Sequence, residues 1–132
     1  MDNLLSERRI LVLEDEMLIL MSIEDMLGDL GCESVSAATT IDQALACIEA
    51  QPIDAAIIDM DLRGQSSRPV AEALVARGIP FVFCTGSRQS DLWSGFRDRG
   101  ILGKPFTYDD LVGVLTRLLP SAAFSALAEV RI

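Results

Sequence analysis

The sequence predicts an α/β fold built on a central parallel β-sheet. Short aliphatic runs alternate along the chain with amphipathic segments of helical period, which is the pattern of repeated strand–helix units. One of these runs, residues 55–58, is apolar at every position, as expected for a strand covered on both faces. The length of 132 residues suits a single domain, and half of the residues are apolar, which is enough for a core without disulfides.

Five strands and five helices are predicted. The strands are residues 9–13, 33–36, 55–58, 79–84 and 100–103. The helices are residues 17–30, 40–52, 69–77, 91–97 and 107–119, and the fourth is the weakest because Gly95 interrupts it. Thr40 with Gln43, and Thr107 with Asp110, have the spacing of a capping box at the start of a helix.

Right-handed crossovers place five such strands most compactly in the flavodoxin-like order 2-1-3-4-5, with helices on both faces in a three-layer sandwich. The first and third strands are then neighbours, and the winding of the sheet reverses there. Ligands of such sheets bind beyond the carboxyl ends of the strands at this point. The function should therefore be sought in the residues that follow the strands.

The composition excludes several classes of protein. The chain has no histidine, which removes Ser–His and Cys–His catalysis, most zinc sites and the donation of phosphohistidine. A formal net charge of −9 argues against direct binding of nucleic acid. The chain lacks a signal-peptide pattern and a membrane span of roughly 20 apolar residues, so we expect a cytoplasmic protein. Cys32, Cys47 and Cys84 form no CxxC motif and are expected to be small reduced hydrophobes.

Acidic side chains follow the first and third strands. Glu14 and Asp15 come after the first strand, and Asp59 and Asp61 come after the third. Because these strands are neighbours, Asp15 and Asp59 should converge, with Glu14 at the rim. Like charges about 4 Å apart repel by about 4 kcal/mol at an effective dielectric constant near 20, so we expect a cation between them. Oxygen ligands of this kind select Mg²⁺ or Mn²⁺.

Two other strand ends add a hydroxyl and an ammonium group to the same edge. Thr85 follows the fourth strand, and Lys104 follows the fifth. A cation, a lysine and a hydroxyl around an acidic cluster neutralise the charge of a phosphoryl group during transfer. The pattern therefore predicts a phosphoryl-transfer site, in which Asp59 is the carboxylate best placed to act as the nucleophile.

These strand-end residues resemble those of the receiver domain of two-component response regulators, the CheY-like domains, over residues 7–119. The residues that carry the resemblance are Glu14, Asp15, Asp59, Thr85, Lys104 and Pro105. The stretch Ile-Pro-Phe-Val-Phe-Cys-Thr-Gly at 79–86 is similar to the Phe-Ala-Thr-Gly signature of a single-domain subgroup, the FAT GUY receivers, with Cys84 in place of alanine. We therefore expect a receiver domain at 1–119 and a C-terminal tail at 120–132, with no output domain.

The resemblance also implies how phosphorylation would occur. Asp59 would accept a phosphoryl group from a sensor histidine kinase or a histidine phosphotransfer protein. Mg²⁺ would be held directly by Asp15, Asp59 and the backbone carbonyl of Asp61, with Glu14 acting through water. The chain would catalyse its own phosphorylation and dephosphorylation and would turn over no separate substrate.

The remaining roles concern the response to phosphorylation. By resemblance, Thr85 would bind a phosphoryl oxygen and rearrange, and Lys104 would pair with another oxygen through a loop whose bond to Pro105 is cis. Receivers commonly carry a switching aromatic residue three positions before this lysine, where this chain has Ile101. Since phosphorylation adds roughly −1.5 to −2 charges, we predict that the loop at 86–91 and the helix after it respond instead.

The sequence leaves two questions open: the role of the tail and the signalling role of the chain. Phe124, Leu127 and Val130 form an apolar stripe in the tail, which is either a loosely docked helix or a patch for self-association or a partner. The chain is a diffusible relay to a downstream protein, a phosphate sink, or an allosteric regulator of a kinase. The sequence names neither the kinase nor the target.

Two readings from other classes are weaker. Asp59-Met60-Asp61 fits the Asp-x-Asp pattern of haloacid-dehalogenase-like phosphatases. That family places its nucleophile on the first strand of its core, and this chain has no cap domain to enclose a substrate. A flavodoxin would need a phosphate-cradling loop after the first strand, where this chain has three acidic residues.

Overall fold

The computed structural model describes residues 5–86, 93–96 and 99–119. The strands are β1 (Arg9–Leu13), β2 (Ser34–Ala38), β3 (Ala55–Ile58), β4 (Asp61–Leu62), β5 (Gln65–Ser66), β6 (Phe81–Thr85) and β7 (Ile101–Gly103). The helices are α1 (Met17–Asp29), α2 (Ile41–Ala50), α3 (Arg68–Ala76) and α4 (Tyr108–Leu118). Within the described ranges, no helix is long and apolar enough to cross a membrane.

Five of the strands form one parallel sheet in the order β2-β1-β3-β6-β7. β4 and β5 form a separate hairpin, so β6 and β7 are the fourth and fifth strands of the sheet. The order is therefore the expected 2-1-3-4-5, and the predicted fold class is confirmed. The register pairs Leu13 of β1 with Ile58 of β3, and the two strands therefore end at the same level. The acidic residues that follow them begin at one edge of the sheet.

The side chains of β1 alternate between two core clusters, one on each face of the sheet, and this explains the three layers. Ile10 and Val12 belong to a core cluster with buried residues of α1 and α4, and Leu11 and Leu13 belong to another with buried residues of α2 and α3. Successive side chains of a strand point to opposite faces, so the apolar residues 10–13 of β1 need helices on both sides of the sheet. The central position of β1 thus follows from its composition.

The two predicted capping boxes have different outcomes. At α4, the Thr107 hydroxyl accepts from the Asp110 N–H and the Asp110 carboxylate accepts from the Thr107 N–H, so this box is complete. At α2, the Thr40 hydroxyl accepts from the Gln43 N–H at 3.1 Å, but the Gln43 side chain accepts from Thr39 at 2.8 Å. The second arm is therefore displaced by one residue.

Residues 61–68, which lie between the third predicted strand and the third predicted helix, contain a short hairpin that was not predicted. β4 and β5 pair antiparallel through Asp61 with Ser66 and Leu62 with Gln65. The two residues between them have positive φ, 50° at Arg63 and 82° at Gly64. Two consecutive residues with positive φ match the twist of an antiparallel pair. Arg-Gly is a weak sequence signal for this turn because the first position is normally Asn, Asp or Gly.

The expected helix at 91–97 lies partly outside the described residues. Within it, Trp93–Phe96 forms a turn in which the Phe96 N–H donates to the Trp93 carbonyl at 2.9 Å. Phe96 is buried and Trp93 packs against the α2–α3 core cluster. The predicted response of the loop at 86–91 and the predictions for the tail at 120–132 also concern residues that lie wholly or largely outside the described ranges.

The three cysteines are free thiols, as expected. Cys32 and Cys84 are buried, and Cys47 is half-buried. Burial raises the pKa of the Cys84 thiol to about 12. The thiol is therefore protonated at neutral pH and acts as a small apolar side chain in the position where the resembling signature has alanine.

Candidate functional site

Backbone hydrogen bonds join the strand ends that carry the predicted site. The Asp59 N–H donates to the Leu13 carbonyl at 3.0 Å, which continues the β1–β3 ladder past the last paired residues. The Lys104 N–H donates to the Thr85 carbonyl at 3.1 Å, which does the same for β6 and β7. The backbone pairing of the sheet therefore fixes the positions of Asp59 and Lys104 independently of their side-chain contacts.

Three carboxylates converge at this edge. Glu14, Asp15 and Asp59 each place one carboxylate oxygen within 4.8 Å of the others. Glu14 is 1% exposed and Asp59 is 5% exposed, whereas Asp15 is half-buried. The convergence predicted from the neighbouring strands is therefore present, although Glu14 lies deeper than the rim position expected for it.

Lys104 lies among the carboxylates. Its Nζ is 2.7 Å from Glu14 Oε1 and 2.9 Å from Asp59 Oδ2, and it is 3.8 Å from Glu16 Oε1. The lysine side chain is 17% exposed. A single ammonium group thus compensates two buried carboxylates at once.

This pairing keeps the lysine charged. Burial by itself lowers the pKa of Lys104, but hydrogen bonds to Glu14 and Asp59, together with their negative charges, outweigh burial and raise the pKa above its usual value. For Glu14, burial raises the pKa, and the contacts with Lys104 and with the Glu16 N–H offset only part of this effect. The site is therefore an acidic cluster held together by an ammonium group that stays protonated.

Thr85 and Ile101 lie where the strand order places them. Thr85 ends β6 and is 4% exposed, two residues after Phe83, which pairs with Ile58 of β3. Ile101 pairs with Phe83 from the other side, in β7, and packs against the α2–α3 core cluster. The Lys104–Pro105 peptide bond is cis, in agreement with the expectation. Thr85 and Lys104 therefore lie at the carboxyl edge of the sheet, and the Phe83–Ile101 pair lies two pairs below this edge.

One contact of the cluster was not anticipated from the sequence. Arg63, in the turn between β4 and β5, places its Nε 3.4 Å from Asp15 Oδ2. Neither composition nor helical period indicates this pair, because it depends on a hairpin that the sequence did not reveal. The backbone of Asp61 lies at the start of the same hairpin.

The donor set fits a small divalent cation. Carboxylate oxygens within 4.8 Å of one another need only a small contraction to share a Mg²⁺ ion, whose ligand distances are about 2.1 Å in an octahedral arrangement. No histidine or CxxC pair competes as a softer ligand set. A metal-assisted reaction at Asp59, with Lys104 as the fixed cation, is the chemistry that this arrangement can support.

The comparisons with known proteins agree with this class of site. The family model for the response regulator receiver domain matches residues 10–116. The chain belongs to the response regulator receiver domain family, the CheY-like domains of two-component signalling.

Several known proteins are similar to it. The curated transcriptional regulatory protein PdtaR of Mycobacterium tuberculosis is 33% identical over 109 residues, which cover 80% of this chain and 53% of PdtaR. The chain therefore spans about half the length of this relative. The solution structure of SdrG from Sphingomonas melonis Fr1 is 50% identical with a TM-score of 0.76, and the match covers 84% of this chain and 95% of SdrG.

A third similar structure contains a metal ion. It is the receiver domain of the sensor histidine kinase PA1611 from Pseudomonas aeruginosa PAO1, with a magnesium ion coordinated in the active site cleft. It is 26% identical to this chain with a TM-score of 0.71, and the match covers 86% of this chain and 98% of that domain.

Proposed function

We propose that this chain is a response regulator that accepts a phosphoryl group on Asp59 from the phosphohistidine of a sensor histidine kinase or a histidine phosphotransfer protein. The observation that carries the proposal is the environment of Asp59. Its Oδ2 is 2.9 Å from the Lys104 ammonium group, and one of its oxygens lies within 4.8 Å of carboxylate oxygens of Glu14 and Asp15. A buried carboxylate with a fixed cation and a set of metal-ligating oxygens beside it suits phosphoryl transfer.

Asp15, Asp59 and the backbone carbonyl of Asp61 would hold Mg²⁺ directly, with Glu14 acting through water. The magnesium ion in the cleft of the PA1611 receiver domain supports this assignment. When bound, Mg²⁺ supplies positive charge to the phosphoryl oxygens and to the crowded carboxylates. The acidic cluster provides only oxygen donors for this purpose, which is the preference of that ion.

The transfer itself is a displacement at phosphorus. A carboxylate oxygen of Asp59 attacks the phosphorus, the P–N bond of the donor breaks, and its electron pair stays on the donor imidazole. Lys104 and the Thr85 hydroxyl would each bind one of the phosphoryl oxygens. In a separate hydrolysis step, water attacks the phosphorus and gives up a proton to solvent, the P–O bond to Asp59 breaks, and inorganic phosphate leaves. We propose no turnover of a separate substrate.

An apolar surface beside the site suits the protein that delivers the phosphoryl group. Met17, Leu18 and Met21 on α1 are 56%, 84% and 53% exposed. Leu18 also lines a groove of about 470 Å³ whose other wall includes Lys104 and Phe106. Since large exposed apolar side chains commonly mark protein contacts, we propose that the phosphohistidine-bearing partner binds this face of α1.

Replacing Leu18 by glutamine should therefore reduce transfer from a kinase by about tenfold, which corresponds to about 1.4 kcal/mol of lost apolar contact. Phosphorylation by acetyl phosphate should be unchanged, because a small donor needs no protein contact. Rates of labelling with the two donors check this prediction. Val75→Gln on α3 is the matched control, since Val75 is also an exposed apolar helix residue at 47%. Equal losses with both donors would contradict the proposed binding face.

The proposed phosphoacceptor is tested by phosphotransfer profiling with purified sensor kinases. The wild type should be labelled preferentially by one kinase, and Asp59→Asn should reduce this labelling to background because the amide cannot act as the nucleophile. Asp42→Asn, which removes an exposed carboxylate from the first turn of α2, should be labelled like the wild type. Labelling that persists in Asp59→Asn would refute the assignment.

We also propose how the phosphorylated chain passes on the signal. Phosphorylation biases an equilibrium between two states, and a protein that binds one state better reads the signal. We propose a relay or sink that acts through proteins, including a second copy of the chain, and not through direct contact with nucleic acid. The formal net charge of −9 supports the last point, because phosphate backbones repel such a surface.

A further inference from the structure

Arg63 is a second cation that contacts the acidic cluster, and it differs from Lys104 in its exposure. Its Nε lies 3.4 Å from Asp15 Oδ2, yet its side chain is 83% exposed, whereas the Asp15 side chain is 12% exposed. Lys104, at 17% exposure, contacts the two other carboxylates of the cluster. Among the described residues, Asp15 is thus the cluster member whose basic contact is an exposed arginine at the rim.

The hairpin holds the backbone of Arg63 in place beside the site. The turn that carries it has only two residues, and both have positive φ. Leu62, which precedes Arg63, is 3% exposed and belongs to the α2–α3 core cluster. The hairpin is closed at its other end by Ser67, which is 0% exposed and donates to the Met60 carbonyl through its N–H at 3.0 Å and its hydroxyl at 3.1 Å. The arginine therefore projects from an anchored hairpin beside Asp15.

We infer that Arg63 is a positioning residue that weakens divalent-cation binding by pairing with Asp15, so that metal entry requires the release of this ion pair. The inference rests on the proposed function, because it assumes that Asp15 is a metal ligand. A metal ion bound to the Asp15 carboxylate at about 2.1 Å offsets the negative charge that attracts the guanidinium group, so the ion pair weakens. The guanidinium also repels a second cation beside it. Both effects favour the metal-free site.

The magnitude follows from the exposure of the pair. Exposed ion pairs are weak, and release of one costs a factor of about two to five in an equilibrium constant. We therefore expect Arg63→Gln to bind Mg²⁺ about two- to fivefold more tightly than the wild type. Isothermal titration of the full chain with MgCl₂ measures this directly, without any phosphorylation.

Two control variants isolate the contact. Arg68→Gln removes a positive charge from a pair of nearly the same geometry, Arg68 Nε to Glu72 Oε2 at 3.3 Å, whose carboxylate is outside the cluster. Its Mg²⁺ affinity should stay at the wild-type value. Arg63→Lys keeps the charge at the same position and should also stay within about twofold of the wild type. The difference between Arg63→Gln and the wild type should shrink at high ionic strength, because salt screens an exposed pair.

The outcomes separate this inference from the proposed function. If the wild type binds Mg²⁺ and Arg63→Gln binds it equally or less tightly, the inference is overturned and the metal site stands. If Arg68→Gln or Arg63→Lys tightens binding as much as Arg63→Gln, the inference is also overturned, since the charge at the Asp15 contact is then not the cause. If neither the wild type nor Arg63→Gln binds Mg²⁺ at millimolar concentrations, the proposed metal site itself is wrong.

Discussion

Replacing Lys104 by methionine should lower the rate of phosphotransfer to Asp59 by at least about 100-fold, the usual cost of removing one charged or hydrogen-bonding group that stabilises a transition state. The Lys104 ammonium group lies 2.9 Å from Asp59 Oδ2, close enough to bind the phosphoryl oxygens that develop beside it. Methionine keeps the length and apolar stem of the side chain without the charge. Labelling by kinase and by acetyl phosphate should fall together, because the defect is chemical.

The same substitution should cost about 3–5 kcal/mol of unfolding free energy at pH 8, since it leaves Glu14 and Asp59 buried without their cation. Chemical denaturation with and without MgCl₂ measures this cost, and Mg²⁺ should recover part of it. Arg117→Met, which removes an exposed charge from the last turn of α4, is the control and should change stability by less than about 0.5 kcal/mol.

The loss of unfolding free energy in Lys104→Met should be smaller at pH 5 than at pH 8. The pKa of Glu14 is already raised, chiefly by burial, and Lys104 is one of the groups that lower it. Loss of the lysine raises this pKa further, so the folded variant takes up a proton above the unfolded value of 4.5 and gains stability as the pH falls. A penalty that is independent of pH would contradict the assignment of the cost to an uncompensated carboxylate.

Phe83→Ala is expected to destabilise the protein by about 3–5 kcal/mol, the usual cost of removing a fully buried aromatic side chain. Phe83 is 0% exposed. Its ring makes edge contacts with Phe81 at 5.5 Å, Trp93 at 5.5 Å and Phe96 at 6.2 Å between centroids. Few side chains in the described part of the chain combine such burial with so many aromatic neighbours.

Urea denaturation followed by circular dichroism measures this change. Phe83→Leu is the matched control, because it retains most of the apolar volume and should lose much less stability than the alanine variant. The fluorescence of Trp93, the chain's one tryptophan, should shift to longer wavelength in Phe83→Ala as water reaches the indole. A loss below about 1 kcal/mol would show that the cluster repacks around the cavity.

The aromatic cluster of Phe81, Phe83, Trp93 and Phe96 lies next to Ile101, which occupies the position where receivers commonly have a switching aromatic residue. Ile101 is paired with Phe83, and Phe83 lies two residues before Thr85 on the same face of β6. The aromatic rings around Phe83 come from β6 and from the turn at 93–96, whereas receivers commonly supply an aromatic side chain from the last strand. The predicted response of the segment after Thr85 is consistent with this placement and stays a prediction.

Much of the fold and of the site was predictable because both depend on local patterns. The all-apolar run of β3 indicated a central strand, and the Thr107–Asp110 spacing indicated the start of the last helix correctly. The convergence of Asp15 and Asp59 required only that β1 and β3 be neighbours and end at one level. Parallel strands in a sheet satisfy this without fine adjustment, so the composition of the site could be inferred from the residues after each strand.

The partners of the charged groups could not be inferred in this way. Glu14 was expected at the rim, yet it is 1% exposed and lies 2.7 Å from Lys104. Arg63 reaches Asp15 from a hairpin whose turn has no strong sequence signal. The strands and the residues that follow them were predictable from the periodicity of each segment, and the strand order followed from the handedness of the crossovers. The choice of which cation meets which carboxylate depends on ångström-scale distances between segments that are far apart in the chain, and only the packed molecule defines those distances.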